Sequence, residues 1–429
     1  MSRFLGAGWI LLATFMATNL WAQLEVEPAP ASEEPINIDE KATHEQVKLI
    51  EISKETPVNA FCLDTKGQIL AACGTGPGEV RVLDADGEAV ASWKVDIKPE
   101  AINTAPDGTI LVAGHGKLLR FSPEGKLLAQ AAAPHAAELE KHNAELRKQA
   151  EDQVNNPGLA MSLDSIIKAY QQMIDQLEEK QKTEELNDQE VRLLQILPEN
   201  LERFKKQKEE EDAAQKNTKK GEKPDNSAKI EQALKAIKAS KLSVASISTD
   251  GKHVYVATPS PTGYTFDVWQ TSTDFTNPEK VVKELRGCCG HMDVQACTSG
   301  IYVAENARHR VACFQPDGKM VKEWGKRDRT GADGFTSCCN PMNVCFDKSG
   351  DVYTAEANTG RIKRFAADGT FKDYIGDVKL VPGCNNVSIA ISPDNDLVYM
   401  LDITRNHIVL MKRKAASAQQ DAPKATEET

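Results

Sequence analysis

Short apolar or alternating runs, each bounded by a two-residue turn signal, fill most of the chain. Val344-Cys345-Phe346 and Asp351-Val352-Tyr353-Thr354-Ala355 flank Ser349-Gly350. The same arrangement surrounds Lys66-Gly67, Asp107-Gly108, Asp250-Gly251, Ser299-Gly300 and Asp394-Asn395. Gly and Asn reach the positive φ that tight hairpin turns need, so each site predicts two antiparallel strands. These turns recur about every 40–50 residues, the period of a propeller blade or a solenoid unit. One wider gap, between Gly108 and Gly251, requires an insertion. A second turn lies inside most units, at Asp86-Gly87, Glu124-Gly125, Asp317-Gly318 and Asp368-Gly369. Each unit therefore holds four strands, A to D. Trp93 and Trp324 follow the second turn glycine at the same distance, which places both on an outer strand, where a large ring fills the widening gap between units.

Six units can be aligned. The sixth has strands near Val387–Ile391, Leu397–Leu401 and His407–Lys412, then turns polar before a fourth strand appears. An orphan strand, Val47 to Ile52, precedes the first unit and supplies the missing one. Such closure removes the exposed edges an open array would leave. The predicted fold is an all-β six-bladed β-propeller, its ring closed by the N-terminal strand, with an α-helical hairpin inserted between blades 2 and 3. The expected boundaries are 1–22 for a signal peptide and 23–45 for a flexible segment. The closing strand and blades 1–2 occupy 46–133, the helical insertion 134–242, blades 3–6 243–413 and a disordered tail 414–429.

Inside 134–242 the period changes from two to 3.6. Ala136–Gln153 is helical in pattern and Asn155-Asn156-Pro157-Gly158 breaks it. Leu163, Ile166, Ile167, Tyr170, Met173, Ile174 and Leu177 form one apolar helical face. Asn187 to Glu190 reads as a helix start before Val191, Leu193, Leu194, Ile196 and Leu197, and Pro198 should kink or restart that helix. Lys216–Asn226 is polar and charged, with the composition of a disordered segment. Lys229–Ala239 returns as a short helix. The apolar stripe must bury against something, which points to an antiparallel, coiled-coil-like hairpin rather than a solvated spacer.

Three segments carry a finer pattern of strand, acidic residue, Asn/Gly loop, Arg-Ile/Val and strand. They are Tyr302 to Val311 with Glu305 and Arg308, Tyr353 to Phe365 with Glu356 and Arg361, and Val398 to Ile408 with Asp402 and Arg405. These resemble NHL repeats. The resemblance is good in blades 4 to 6 and weaker in blades 1 and 2. In blade 3, Pro259–Tyr264 replaces the loop. The family implies a six-bladed propeller and no single activity, since it includes binding scaffolds and a few enzymes.

The N-terminus changes the expected compartment. Arg3, an apolar run from Phe4 to Met16, and Leu20-Trp21-Ala22-Gln23 read as a secretory signal peptide cut after Ala22. The apolar run falls short of the ~20 residues a spanning helix needs. The expected location is periplasmic or extracellular. A net charge of −11, without a basic patch interleaved with aromatics, argues against nucleic acid as a partner.

All ten cysteines follow the leader. Cys288-Cys289-Gly290-His291-Met292-Asp293-Val294 is echoed by Cys338-Cys339-Asn340-Pro341-Met342-Asn343-Val344, with Cys289 and Cys339 50 residues apart. Cys288, Cys289, His291, Cys338, Cys339 and Cys384 all precede an inner strand, so they should gather on one propeller face around the channel mouth, the natural ligand side. Cys73, Glu305, Glu356 and Asp402 end strand B in their units and should lie on the same face. Three readings of the cysteines stand open. One is disulfides stapling neighbouring blades in an oxidising compartment. The second is a zinc or copper site using thiolates and His291. The third is a redox-active dithiol, although no Cys-x-x-Cys motif supports it. Cys62, Cys297, Cys313 and Cys345 fall within strands and read as buried apolar fillers, and His309 and His407 as structural. Glu305, Glu356 and Asp402 read as acceptors for loop amides or for Arg308, Arg361 and Arg405, with divalent-cation binding as the alternative. The function that follows is a non-catalytic scaffold for a protein or cell-envelope ligand. The alternatives are a metal-dependent lyase or hydrolase, and a thiolate metal or redox protein. The family's amidating lyase implies histidines around the channel, and only His291 occupies such a place.

Overall fold

The structure is a computed structural model that describes residues 42–155, 163–183, 186, 194, 197–209, 226–328, 334–336, 339–381 and 385–415. Among the described residues, twenty-four strands form six four-stranded antiparallel sheets. The chain enters through β1 (His44–Glu51). Sheet one is β2 to β5 (Val58–Leu63, Ile69–Cys73, Gly78–Leu83, Ala89–Val95), and sheet two is β6 to β9 (Ala101–Thr104, Ile110–Gly114, Lys117–Phe121, Leu127–Ala132). Sheet three is β10 to β13 (Ser246–Thr249, His253–Pro259, Thr265–Ser272, Glu279–Arg286). Sheet four is β14 to β17 (Asp293–Cys297, Gly300–Glu305, Arg310–Phe314, Met320–Trp324). Sheet five is β18 to β21 (Asn343–Phe346, Val352–Ala355, Arg361–Phe365, Phe371–Asp377). Sheet six joins β22 (Ile389–Ile391), β23 (Leu397–Asp402) and β24 (His407–Arg413) to β1 in the order β1-β24-β23-β22. The orphan strand therefore does complete the last sheet, running antiparallel to β24 from His44 opposite Arg413 to Glu51 opposite His407.

Local chemistry sets these hairpins. Asp347 Oδ1 accepts the backbone N–H of Ser349 at 2.9 Å and of Asp351 at 3.0 Å, while Gly350 takes φ 84°. Asp64 does the same for Lys66 and Gln68, both at 2.8 Å, beside Gly67. An aspartate that bonds the backbone two and four residues on fixes the turn before the strands pair. Tyr255, Tyr302 and Tyr353 are fully buried, and each reaches back with its hydroxyl to Asp250, Ser299 or Asp347 of its own turn.

The first strand of each sheet touches the first strand of the next, from β2 through β6, β10, β14 and β18 to β22, and β22 touches β2. An apolar cluster fills every interface between consecutive sheets, including that between sheets six and one. The outer strands interlock as the equivalent tryptophans foretold. Trp93 of sheet one lies on Gly125 of sheet two, and Trp324 of sheet four on Gly369 of sheet five. A Cβ at either glycine would come within 2.6 Å or 2.8 Å of the indole. Both glycines also have positive φ, so the turn and the ring contact select the same residue.

Residues Pro134–Ser243, with Ser260–Gly263, form a second compact unit. Its helices are α1 (Pro134–Lys141), α2 (Asn143–Asn155), α3 (Leu163–Thr183), α4 (197–209) and α5 (Ser227–Lys241). In place of one hairpin there are two packed groups. Leu139, Leu146 and Ala150 meet Leu234 and Ile237 of α5. Ile166, Tyr170, Met173 and Ile174 of α3 meet Leu197, Leu201 and Phe204 of α4, with Tyr170 edge-on to Phe204 at 5.3 Å. The predicted helix start at Asn187 to Glu190, the leader and the tail from residue 416 lie outside the described residues. Among the described residues no helix is long and apolar enough to cross a membrane.

Candidate functional site

The segment before β14 closes on itself. Cys288 O accepts the N–H of His291 at 3.1 Å, and the two central residues, Cys289 and Gly290, have φ 55° and 74°. This is the conformation of a type I′ turn, which Gly adopts freely and Cys adopts at about 1–2 kcal/mol. Neighbouring groups hold it. Asn306 Oδ1 accepts the N–H of Cys288 at 2.7 Å, and Asn306 Nδ2 donates to His291 O at 3.2 Å. Just upstream, Glu305 Oε1 accepts the N–H of Arg286 at 2.9 Å. Glu305 is fully buried and paired with Arg308 at 2.9 Å and Arg310 at 2.5 Å.

One sheet later the same device recurs. Glu356 Oε2 accepts the N–H of Thr336 at 2.8 Å, and Oε1 pairs with Lys363 Nζ at 2.8 Å, both side chains fully buried. Lys363 also donates to Gly334 O, and Asn340 Oδ1 accepts the N–H of Ala357 at 3.0 Å. In sheet six Asp402 Oδ2 accepts the N–H of Val381 at 3.3 Å and pairs with Arg405 at 3.4 Å. The three acids thus anchor the segments that lead into or precede the inner strands. Their oxygens are taken by amides and cations, as the first of the two sequence readings has it, and none belongs to a metal-ligand group among the described residues. Arg361 is a correction: it pairs with Asp377 at 3.3 Å, and Lys363 takes Glu356.

These anchors bring together sulfurs from two sheets. Cys288 and Cys289 Sγ are 3.5 Å apart, Cys289 and Cys339 3.4 Å, and Cys339 and Cys288 2.8 Å. A disulfide bond measures about 2.05 Å, so none of these three pairs is bonded. Cys339 is buried and the other two half-buried, against the apolar cluster of Met342, Tyr353 and Ile362. The ring nitrogens of His291 do not join the group. Burial, helped by Lys98, lowers the His291 pKa to about 4, which leaves the imidazole neutral near pH 7. Cys338 and Cys384 lie outside the described residues.

The channel is a separate place. A cavity of about 650 Å³ is lined by residues from the inner strands of all six sheets, and neither Cys288, Cys289 and Cys339 nor His291 is among them. The expected cysteine ring at its mouth is therefore corrected: the described members turn into the seam between sheets. Cys62, Cys297 and Cys345, read as apolar fillers, do pack on the apolar clusters and also border the cavity. Burial raises the Cys62 thiol pKa to about 12 and holds that of Cys345 well above the ordinary thiol range, so both remain protonated and unreactive.

Polar side chains in the channel satisfy the free edges of the inner strands. Asp293 Oδ2 accepts the N–H of Val344 at 2.9 Å, Ser248 Oγ that of Ala296 at 2.9 Å, and Asn343 Oδ1 that of Ile389 at 3.0 Å. Asn103 Nδ2 donates to Gln295 Oε1 at 2.8 Å, which links sheet two to sheet four past sheet three. Sequence reading missed these groups. The available clue was a polar residue at the head of an otherwise apolar inner strand, as in Asp293, Asn343 and Ser388.

Burial raises the Asp293 pKa to about 6, against the hydrogen bonds that favour its charged form. The folded protein therefore binds this proton more tightly than the unfolded chain. Its contribution is fully present below the unfolded value near ~4 and is lost as pH rises through about 6. For Asp293→Asn, stability relative to the parent should rise by up to about 3 kcal/mol between pH 4 and pH 7. Urea midpoints at both pH values check this, and a pH-independent difference would contradict it.

No protein-family model and no curated protein matches the chain. Among solved structures it is similar to a streptogramin B lyase at 10% identity, with 86% of this chain and 98% of that one covered and a TM-score of 0.41. It is also similar to a virginiamycin B lyase from Staphylococcus aureus, at 9% identity, 85% and 98% coverage and a TM-score of 0.40. A protein of unknown function from Bacteroides caccae matches at 10% identity, 76% and 83% coverage and a TM-score of 0.38. Likeness at this level bears on neither activity nor ligand.

Proposed function

We propose that this chain is an exported, NHL-like six-bladed β-propeller, its ring closed by β1, that acts as a non-catalytic binding scaffold in the periplasm or outside the cell. The observation that carries this reading is the cavity of about 650 Å³ at the meeting of all six inner strands. Concave sites with a few convergent polar groups are the usual ligand sites of such architectures. Asp64, Glu100, Asp250, Asp293 and Asp347 line it against one cation, Lys348. That balance favours a neutral or cationic segment of a partner protein or of a cell-envelope polymer and disfavours anions. The described helices α1 to α5 add a second surface for such a partner.

Titration calorimetry of the mature chain tests this with neutral glycan fragments and with short neutral, cationic and anionic peptides. Neutral or cationic ligands should bind, about tenfold more weakly to Gln295→Ala, as loss of one or two hydrogen bonds predicts. Preference for anions, or affinity unchanged in both Gln295→Ala and Asn103→Ala, would place the ligand outside the channel.

A further inference from the structure

The sulfur group in the seam is not used by the channel, and its geometry carries a second site. We propose that Cys288, Cys289 and Cys339 bind one soft, thiophilic metal ion of the copper(I) class as three thiolates. Three ligand atoms from two segments converge with every sulfur–sulfur separation at or below 3.5 Å. No imidazole nitrogen or carboxylate oxygen of the described residues joins them. An all-sulfur set selects soft ions, whereas structural zinc takes a closed tetrahedron of four sulfur, nitrogen or oxygen ligands.

The surroundings also look built for this arrangement. Cys289 holds φ 55° where Gly would be at ease, in a turn fixed by Asn306 and Gly290. A non-glycine residue kept in that region by its neighbours points to a role for its side chain. On the other side, buried Glu356, Lys363 and Asn340 brace the segment around Cys339. The ion would thus be clasped by two loops, each locked by its own buried acid. The seam is apolar, so bare thiolates there would be costly, and a bound cation offsets part of that cost. On binding, each sulfur exchanges its proton for a bond to the metal, and the protons leave to water. No electron transfer is involved, because the ion is supplied already reduced. This inference is independent of the channel reading.

The test uses the full mature chain, reduced, stripped with a chelator and titrated anaerobically with copper(I) against a coloured copper(I) competitor. One copper(I) per chain is expected, with sulfur-to-copper charge-transfer absorption. Affinity should fall at least 100-fold in Cys289→Ser and in Cys339→Ser and stay unchanged in Cys345→Ser, whose thiol lies in the channel. Circular dichroism shows whether each variant is folded. Copper-edge X-ray absorption of the parent gives a reading that needs no variant, with a first shell of sulfur alone expected. No binding, equal binding by folded Cys289→Ser and Cys339→Ser, preference for zinc, or a shell dominated by nitrogen or oxygen would overturn the proposal.

Discussion

Lys363→Met is expected to destabilise the protein by about 3–5 kcal/mol, the cost of leaving a buried charge without its partner. Both Lys363 and Glu356 are fully buried, and the ammonium also lies 5.1 Å from the Phe335 ring centre and donates to Gly334 O. Burial lowers the Lys363 pKa while Glu356 supports its charged form. Without the lysine, the hydrogen bonds the carboxylate keeps among the described residues are those from the Thr336 amide, the Thr336 hydroxyl and a distant Asn340 amide. Urea denaturation should show the loss, and Glu356→Gln combined with Lys363→Met should recover most of it, since a neutral pair needs no counter-charge. Because Thr336 and Asn340 flank Cys339 in sequence, alkylation of Cys339 should also accelerate in the single variant. Equal stability of parent and single variant would mean that the pair contributes little.

A chain shortened to begin at Ile52 is expected to lose about 5 kcal/mol or more, at roughly 1 kcal/mol for each ladder hydrogen bond removed. It also loses Ile50 from the cluster between sheets six and one. Sheet six would then end at β24 with an unpaired edge, a template for pairing with other chains. The shortened protein should melt earlier and self-associate on size-exclusion chromatography, and an added peptide spanning 42–52 should reverse both. A shortened chain that is monomeric and as stable as the parent would mean that β1 contributes little to sheet six.

The success of the orphan-strand prediction has a plain cause. Strand number is fixed by turn residues, and Lys66-Gly67 or Ser349-Gly350 announce a hairpin without reference to anything distant. A missing fourth strand after His407–Arg413 therefore had one candidate. The echo of the two cysteine pairs was legible for the same reason, since equal places in equal units are neighbours. What alternation does not give is which side of a strand-to-loop junction a side chain takes. Cys288, Cys289 and Cys339 turn into the seam, while Cys345, two residues inside a strand, faces the channel. The apolar stripe on α3 declared that a partner existed but not which one, so one hairpin was expected where α3 packs on α4 and α5 packs on α1 and α2. Glu356 was readable as an anchored acid. Its partner was not, because Arg361 and Lys363 share one face of one strand, both are buried, and only packing decides which of them meets the carboxylate.

The claim on which the site depends is that the fold sets Cys288 and Cys289 against Cys339 of the next unit. The most direct measurement is short-span thiol cross-linking of the reduced mature protein, in a Cys338→Ser, Cys384→Ser background, with a bis-alkylating reagent followed by peptide mapping. The structure predicts one dominant product joining Cys339 to Cys288 or Cys289, at 2.8 Å and 3.4 Å, and its absence in urea. Separate alkylation of the two peptides in the folded protein would contradict the arrangement of the seam and the metal site drawn from it.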